Sequence, residues 1–140
     1  MKLNQLKNDA VMLKEQLQRL INDFNKLENN TDQSSLNADD LYIFDSIYQI
    51  TDKSHDIVKI IEYMNKPIIS EGYLTKNNNG RYELNGYELS SGHPLDVWEK
   101  DDFYTNGGSW VRTRIEHKND YYAVALGVDK PLDGLKARIK

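Results

Sequence analysis

Apolar residues open the chain at Leu3, Leu6, Ala10, Leu13, Leu17, Leu20, Phe24 and Leu27. The steps alternate between three and four, which is the signature of a helix whose hydrophobic face repeats every seven residues. Good helix formers such as Lys7, Lys14, Glu15, Gln16, Gln18 and Arg19 fill the positions between. No Gly or Pro interrupts, and Asn29-Asn30-Thr31-Asp32 supplies a stop. The spacing predicts a helix over residues 2–29, roughly 40 Å long at ~1.5 Å per residue. Asn37 reads as the N-cap of a second helix, with Asp39 and Asp40 in the first turn, where the helix dipole favours them. Leu41, Phe44, Ile47 and Tyr48 form its stripe, the polar run 51–55 interrupts it, and Ile57, Val58, Ile60, Ile61 and Met64 resume it. That pattern fits one kinked helix or two short ones with Ser54 capping the second, ending before Pro67. Two apolar stripes joined by a short polar linker predict an antiparallel, coiled-coil-like helical hairpin over residues 1–66.

After Pro67 the helical period disappears, and Gly, aromatic and β-branched residues rise. Strands are expected over residues 69–76, 81–84, 87–89, 95–99, 110–118, 121–126 and 135–139. Turns are marked by Asn77-Asn78-Asn79-Gly80, Asn85-Gly86, Ser91-Gly92-His93-Pro94, Asn106-Gly107-Gly108 and Asp133-Gly134. Asn85-Gly86 is the strongest of these, a two-residue hairpin turn. In the strand over 110–118, Val111, Thr113 and Ile115 share one face, and Trp110, Arg112, Arg114 and Glu116 share the other. On the last strand, Lys136, Arg138 and Lys140 alternate with Leu135, Ala137 and Ile139. The expected class is α+β, with residues 67–140 forming a small SH3-like antiparallel β-barrel.

Several runs in this half carry a resemblance. They are Gly80-Arg81-Tyr82-Glu83-Leu84-Asn85-Gly86-Tyr87-Glu88-Leu89, Leu95-Asp96-Val97-Trp98, Trp110-Val111-Arg112-Thr113-Arg114-Ile115-Glu116-His117, Asp120-Tyr121-Tyr122 and Gly134-Leu135-Lys136-Ala137-Arg138-Ile139. In this order they resemble a family of small domains of unknown function carried on plasmids, phages and integrative elements of Gram-positive bacteria. The resemblance covers roughly residues 70–140 and none of the helical region. It implies an accessory protein of a mobile element and transfers no catalytic residue. The segment from Asp101 to Gly108 is longer than that pattern and departs from it.

Charge narrows the reading further. The net charge is −4. Residues 1–66 carry eight basic and eleven acidic side chains, residues 67–108 carry three and seven, and residues 109–140 carry seven and four. The only basic segment is thus the one holding Trp110, which is too small a basic set for wholesale phosphate neutralisation and argues against direct nucleic-acid binding. With no cysteine there is no disulfide and no thiolate metal site. No apolar run reaches bilayer length and the N-terminus lacks a hydrophobic signal core, so a cytoplasmic protein without membrane partners is expected.

Candidate chemistry is sparse. His55, His93 and His117 are too scattered for a local metal motif, no phosphate-binding glycine loop is present, and no cofactor is implied. Asp101 and Asp102, with Glu99 before them, read as a solvated acidic loop rather than an acid–base pair. Trp110, Arg112, Arg114, Lys136 and Arg138 form a candidate partner-binding face, set against a tryptophan in the core or a face on which the acidic helical hairpin docks; Glu99, Asp101 and Asp102 are acidic candidates for partner binding. Leu6, Leu13, Leu17, Leu20 and Phe24 are candidates for self-association as a homodimer. The expectation is a non-enzymatic binding protein of a mobile element that engages a protein or nucleoprotein. The rivals are an inhibitor of a host defence system (an anti-CRISPR or anti-restriction protein that occludes a nucleic-acid channel) and, more weakly, a small-ligand sponge built on Tyr73, Tyr82, Tyr121 and Tyr122.

Overall fold

The computed structural model describes residues 2–140. They form two units in succession, the first ending at Lys66 and the second starting at Pro67.

The first unit consists of two 28-residue helices, α1 (Leu3–Asn30) and α2 (Ala38–Asn65). In the link, the Asp32 carboxylate accepts from the Ser34 N–H at 3.0 Å and from its hydroxyl at 2.6 Å, setting a single 3-10 turn. Asn37 caps α2: its side-chain oxygen accepts from the Asp40 N–H at 2.8 Å, and its amide donates to the Asp40 carboxylate at 2.8 Å. The polar run 51–55 does not break α2. The Thr51 hydroxyl donates to the Tyr48 carbonyl at 2.9 Å and the Ser54 hydroxyl to the Ile50 carbonyl at 2.6 Å, so both residues are buried with their polar groups satisfied inside the helix.

The short link makes the helices antiparallel neighbours. The Phe24 ring lies 5.0 Å from that of Phe44 and 6.2 Å from that of Tyr48. On α2 the buried positions Phe44, Thr51, Ser54, Val58 and Ile61 trace one contact line. On α1 only Ile21 and Phe24 are buried, with Ala10 and Leu17 half-buried. The contact line is therefore turned toward Ile21, which the expected seam did not include. Leu6, Leu13, Leu20 and Leu27 remain 48%, 45%, 36% and 53% exposed.

The second unit is antiparallel β, which makes the chain α+β. Its strands are β1 (Ser70–Tyr73), β2 (Thr75–Lys76), β3 (Tyr82–Leu84), β4 (Tyr87–Glu88), β5 (Pro94–Lys100), β6 (Gly108–Lys118), β7 (Asp120–Ala123) and β8 (Lys136–Ile139). A five-stranded sheet has the order β1-β8-β5-β6-β7, and a three-stranded sheet the order β2-β3-β4. Among the described residues the expected barrel does not close, because β1 and β7 are open edges. The expected strand over 121–126 stops at Ala123, whose carbonyl accepts from the N–H groups of both Leu126 and Gly127 at 3.0 Å, turning the chain out of the ladder. The expected strand over 69–76 divides at the fully buried Leu74. Its N–H donates to the Leu135 carbonyl at 2.9 Å where the chain passes from one sheet to the other.

The core of this unit lies between the sheets. Leu74, Tyr82, Leu84 and Leu89 meet Leu95, Val97, Ile115, Ala123, Ala137 and Ile139, with Leu132 from the long connection. Asn85 and Gly86 both have positive φ, 50° and 84°, and join β3 to β4 in the tight turn that the sequence predicts. The Asn85 side chain reaches over Gly72 and donates to the Ser70 hydroxyl at 2.7 Å and the Glu71 carbonyl at 3.1 Å. A Cβ at Gly72 would stand 2.9 Å from its oxygen. Lys76 pairs with Asp120 at 3.0 Å, tying β2 to β7.

Two expectations follow from this architecture. A fragment spanning residues 67–140 holds its own core, so it should give a dispersed amide spectrum of β character, and a collapsed spectrum would contradict the division at Lys66. The hydrogen bond from Lys76, followed by that from the Tyr121 N–H, holds the Asp120 carboxyl below its ordinary value. A carboxyl with a lowered folded pKa adds stability above its unfolded pKa and loses it as pH falls through the folded one. The small melting-temperature gap between wild type and Asp120→Asn at neutral pH should therefore shrink below about pH 4. A gap that stays constant down to low pH would contradict the assignment.

Candidate functional site

Strand pleating sorts the side chains of the five-stranded sheet onto two faces. Register sets Val97 opposite Val111 on β6 and Ala137 on β8, and this row faces the core. The alternate residues face the other way. One outward row crosses the sheet as Glu71, Arg138, Asp96 and Arg112, and the next as Tyr73, Lys136, Trp98 and Trp110.

In that second row the two tryptophans are direct cross-strand partners, half-buried and edge to face, with centroids 5.3 Å apart. The Lys136 ammonium lies 5.3 Å from the Trp98 centroid and 5.5 Å from that of Trp110. The Arg138 guanidinium stacks over Trp110 at 4.4 Å. Both contacts are cation–π in character. Arg138 also donates through Nε to the Asp96 carboxylate at 2.8 Å, with the Asp96 side chain only 6% exposed and that of Arg138 20%. Trp98 in turn rests on the backbone at Gly108, where a Cβ would lie 2.9 Å from the indole and 2.2 Å from the Glu99 carbonyl. Glycine is required there by space.

The structure thus brings Trp110, Lys136 and Arg138 into one cluster and places Arg112 in the adjoining row. Arg114 lies one row further along β6 and pairs with Glu116 at 3.1 Å. Glu99 lines a cleft of about 800 Å³ at the end of β5, together with Tyr73, Trp98, Lys100, Lys130 and Lys136. Asp101 and Asp102 lie beyond β5 in the turn leading to β6. There the Asp101 carboxylate accepts from the Phe103 N–H at 2.9 Å, and its own N–H donates to the Gly107 carbonyl at 3.0 Å. The turn presents Phe103 at its tip, 86% exposed. Of the four tyrosines considered for a ligand sponge, Tyr82 belongs to the core, Tyr121 packs against it and only Tyr73 lines the cleft.

Asp96 and Trp98 are the members that sequence reasoning missed. The signal was the alternation in Leu95-Asp96-Val97-Trp98, which matches that in Trp110-Val111-Arg112. Among the described residues, no group of three His, Asp or Glu is placed to hold a metal ion. Among the described residues, no helix is long and apolar enough to cross a membrane.

Residues 72–139 match the family model described as Domain of unknown function (DUF5348). The DUF5348 match includes all of β2 to β8 and the second half of β1, and therefore the whole tryptophan–cation cluster; it includes neither α1 nor α2. No curated protein and no solved structure matches the chain.

The cluster's ion pair yields a test. Asp96→Ala strands a largely buried guanidinium and should cost about 3 kcal/mol, at the lower end for a broken buried pair. Replacing both partners, Asp96→Val with Arg138→Met, should recover most of that loss. Urea unfolding measures both, and a double variant no more stable than Asp96→Ala would contradict the reading.

Proposed function

We propose that the chain is a non-enzymatic, cytoplasmic accessory protein of a mobile genetic element, and that it engages a protein or nucleoprotein partner through the outward face of β5, β6 and β8. The observation that carries this reading is the Trp98–Trp110–Lys136–Arg138 cluster, half-buried on the side of the sheet away from the core and bordering a cleft. Trp and Arg are the residues most often responsible for binding energy at protein interfaces. A phosphate-binding platform needs cations free to meet the backbone of a nucleic acid. Here Arg138 is engaged by Asp96 and Trp110, Lys136 lies over two rings, and Arg114 is paired with Glu116. That arrangement favours a protein surface as the direct contact. The short strands and tight turns of this unit support an SH3-like binding module, and the mobile-element setting rests on the sequence resemblance alone.

A second reading, an inhibitor of a host defence system, draws on a different feature. The turn after β5 presents Phe103 beside Asp101 and Asp102, with Glu99 at its base. An apolar tip that follows two carboxylates along the turn suits insertion into a basic channel.

Capture with the tagged full-length protein in a Gram-positive host separates the readings. Under the first, wild type recovers a protein partner, and Trp110→Ala, folded by circular dichroism, loses about 2 kcal/mol or more of binding. Under the second, Phe103→Ala causes the loss and Trp110→Ala does not. Anisotropy with a short single-stranded oligonucleotide at physiological salt should show no binding. Salt-sensitive binding that Trp110→Ala abolishes would overturn the protein-partner reading.

A further inference from the structure

The two helices expose apolar residues with a second, independent regularity. On α1 they are Leu6, Leu13, Leu20 and Leu27, and on α2 Ile43, Ile50 and Ile57, each line stepping by seven. Their exposures run from 36% for Leu20 to 54% for Ile43. Neither line is the one through which the helices meet, since that contact runs through Ile21 and Phe24 on one side and Phe44, Thr51, Ser54, Val58 and Ile61 on the other.

Helical geometry places the Leu line roughly 80° to one side of the α1 contact line, and the Ile line roughly 70° to the same rotational side on α2. Because the helices are antiparallel, equal rotations bring both lines to one face of the hairpin. The groove near the link supports this placement. It is apolar, about 180 Å³ in volume, and lined by Leu27 and Ile43 together with Phe24, Phe44 and Ile47. The opposite face is interrupted by exposed Asn4, Gln18 and Asn25 on α1 and by exposed His55 and Glu62 on α2.

We infer that this face is the interface with a second copy of the chain, and that two hairpins pack face to face as a four-helix bundle. Two observations select this occupant. Both lines repeat every seven residues, and the same face of another copy supplies two helices with that same repeat. Under two-fold symmetry each line then meets a matching one. The area is also suitable. At roughly 180 Å² for a whole aliphatic residue, the seven side chains expose on the order of 600 Å² per copy, approaching the ~800 Å² that each partner buries in a standard stable interface once the flanking residues contribute. A single amphipathic helix seated in the groove between α1 and α2 would touch both lines but cover less of that area than a second hairpin does. Leu17 and Phe24, on the α1 seam expected from the sequence, belong to the contact inside the hairpin, so the self-association face is made by Leu6, Leu13, Leu20 and Leu27 with α2.

Sedimentation equilibrium on the full-length protein tests this. Wild type should be dimeric at tens of micromolar. Leu13→Glu and Ile50→Glu should each weaken the dimer at least ~100-fold while helical circular dichroism is retained. Leu13→Gln and Ile50→Gln, neutral and compatible with a helix, cover the case in which a glutamate disturbs the hairpin. They should shift the equilibrium in the same direction, and Trp110→Ala should leave it unchanged. A wild type that is monomeric at the highest attainable concentration would overturn the inference. So would a dimer that survives both glutamine variants with helix content intact. A monomer in which Leu13→Gln shifts amide resonances across residues 67–140 would assign the face to the C-terminal unit and overturn it equally.

Discussion

The alternation along β5, β6 and β8 is the constraint on which the C-terminal unit depends. Each strand must supply the core with every second residue, and register aligns Val97, Val111 and Ala137 on that side. The residues between them then have no choice of face. Trp98, Trp110, Lys136, Arg138 and Asp96 are brought together because their neighbours in sequence are needed inside. A slip of one residue in any of the three strands would put a tryptophan or a charge into the core. The outward tryptophan–cation face is thus held in place by the same hydrophobic ordering that folds the sheet, and Gly108 leaves the space that the Trp98 indole occupies beside the backbone.

The helical unit faces a different constraint. Two helices share a single contact, so each buries one line of side chains and a wider stripe is left partly outside. The contact that forms is modest: it includes Thr51 and Ser54 on α2 and few buried residues on α1. Among the apolar residues left over, Leu6, Leu13, Leu20 and Leu27 on α1 and Ile43, Ile50 and Ile57 on α2 fall in lines of constant spacing. A regular, unburied line is what an intermolecular helical interface needs, whereas the sheet unit encloses its own core.

Legibility from the sequence followed the range of the interactions involved. The Asn37 cap, the Asn85-Gly86 turn and both helices were readable because each depends on residues within a few positions of one another. The outward set Trp110, Arg112 and Arg114 was readable because a period of two is local. That Trp98 would face Trp110, or Asp96 meet Arg138 across 42 residues, depends on register between distant strands, which no local pattern encodes. The repeat in α1 announced a helix but contains two adjacent lines, and the partner helix decided which one is buried. The expected strand over 121–126 and the barrel closure failed for a similar reason. The turn at Ala123 is made by backbone N–H groups that any sequence carries, so Val124 and Leu126 looked like strand while the chain was turning away.

The chain has only two tryptophans, and both lie in the cluster, so fluorescence excited selectively at tryptophan reports on that face rather than on the nine tyrosines. Iodide quenching of the folded, full-length protein is therefore the most direct test that the tryptophan–cation face is an accessible surface rather than interior. Quenching should be intermediate between that of a buried indole and that of free tryptophan, helped by the cations beside the rings and weakened in Lys136→Ala. A blue-shifted emission that iodide leaves untouched until the protein unfolds would contradict it.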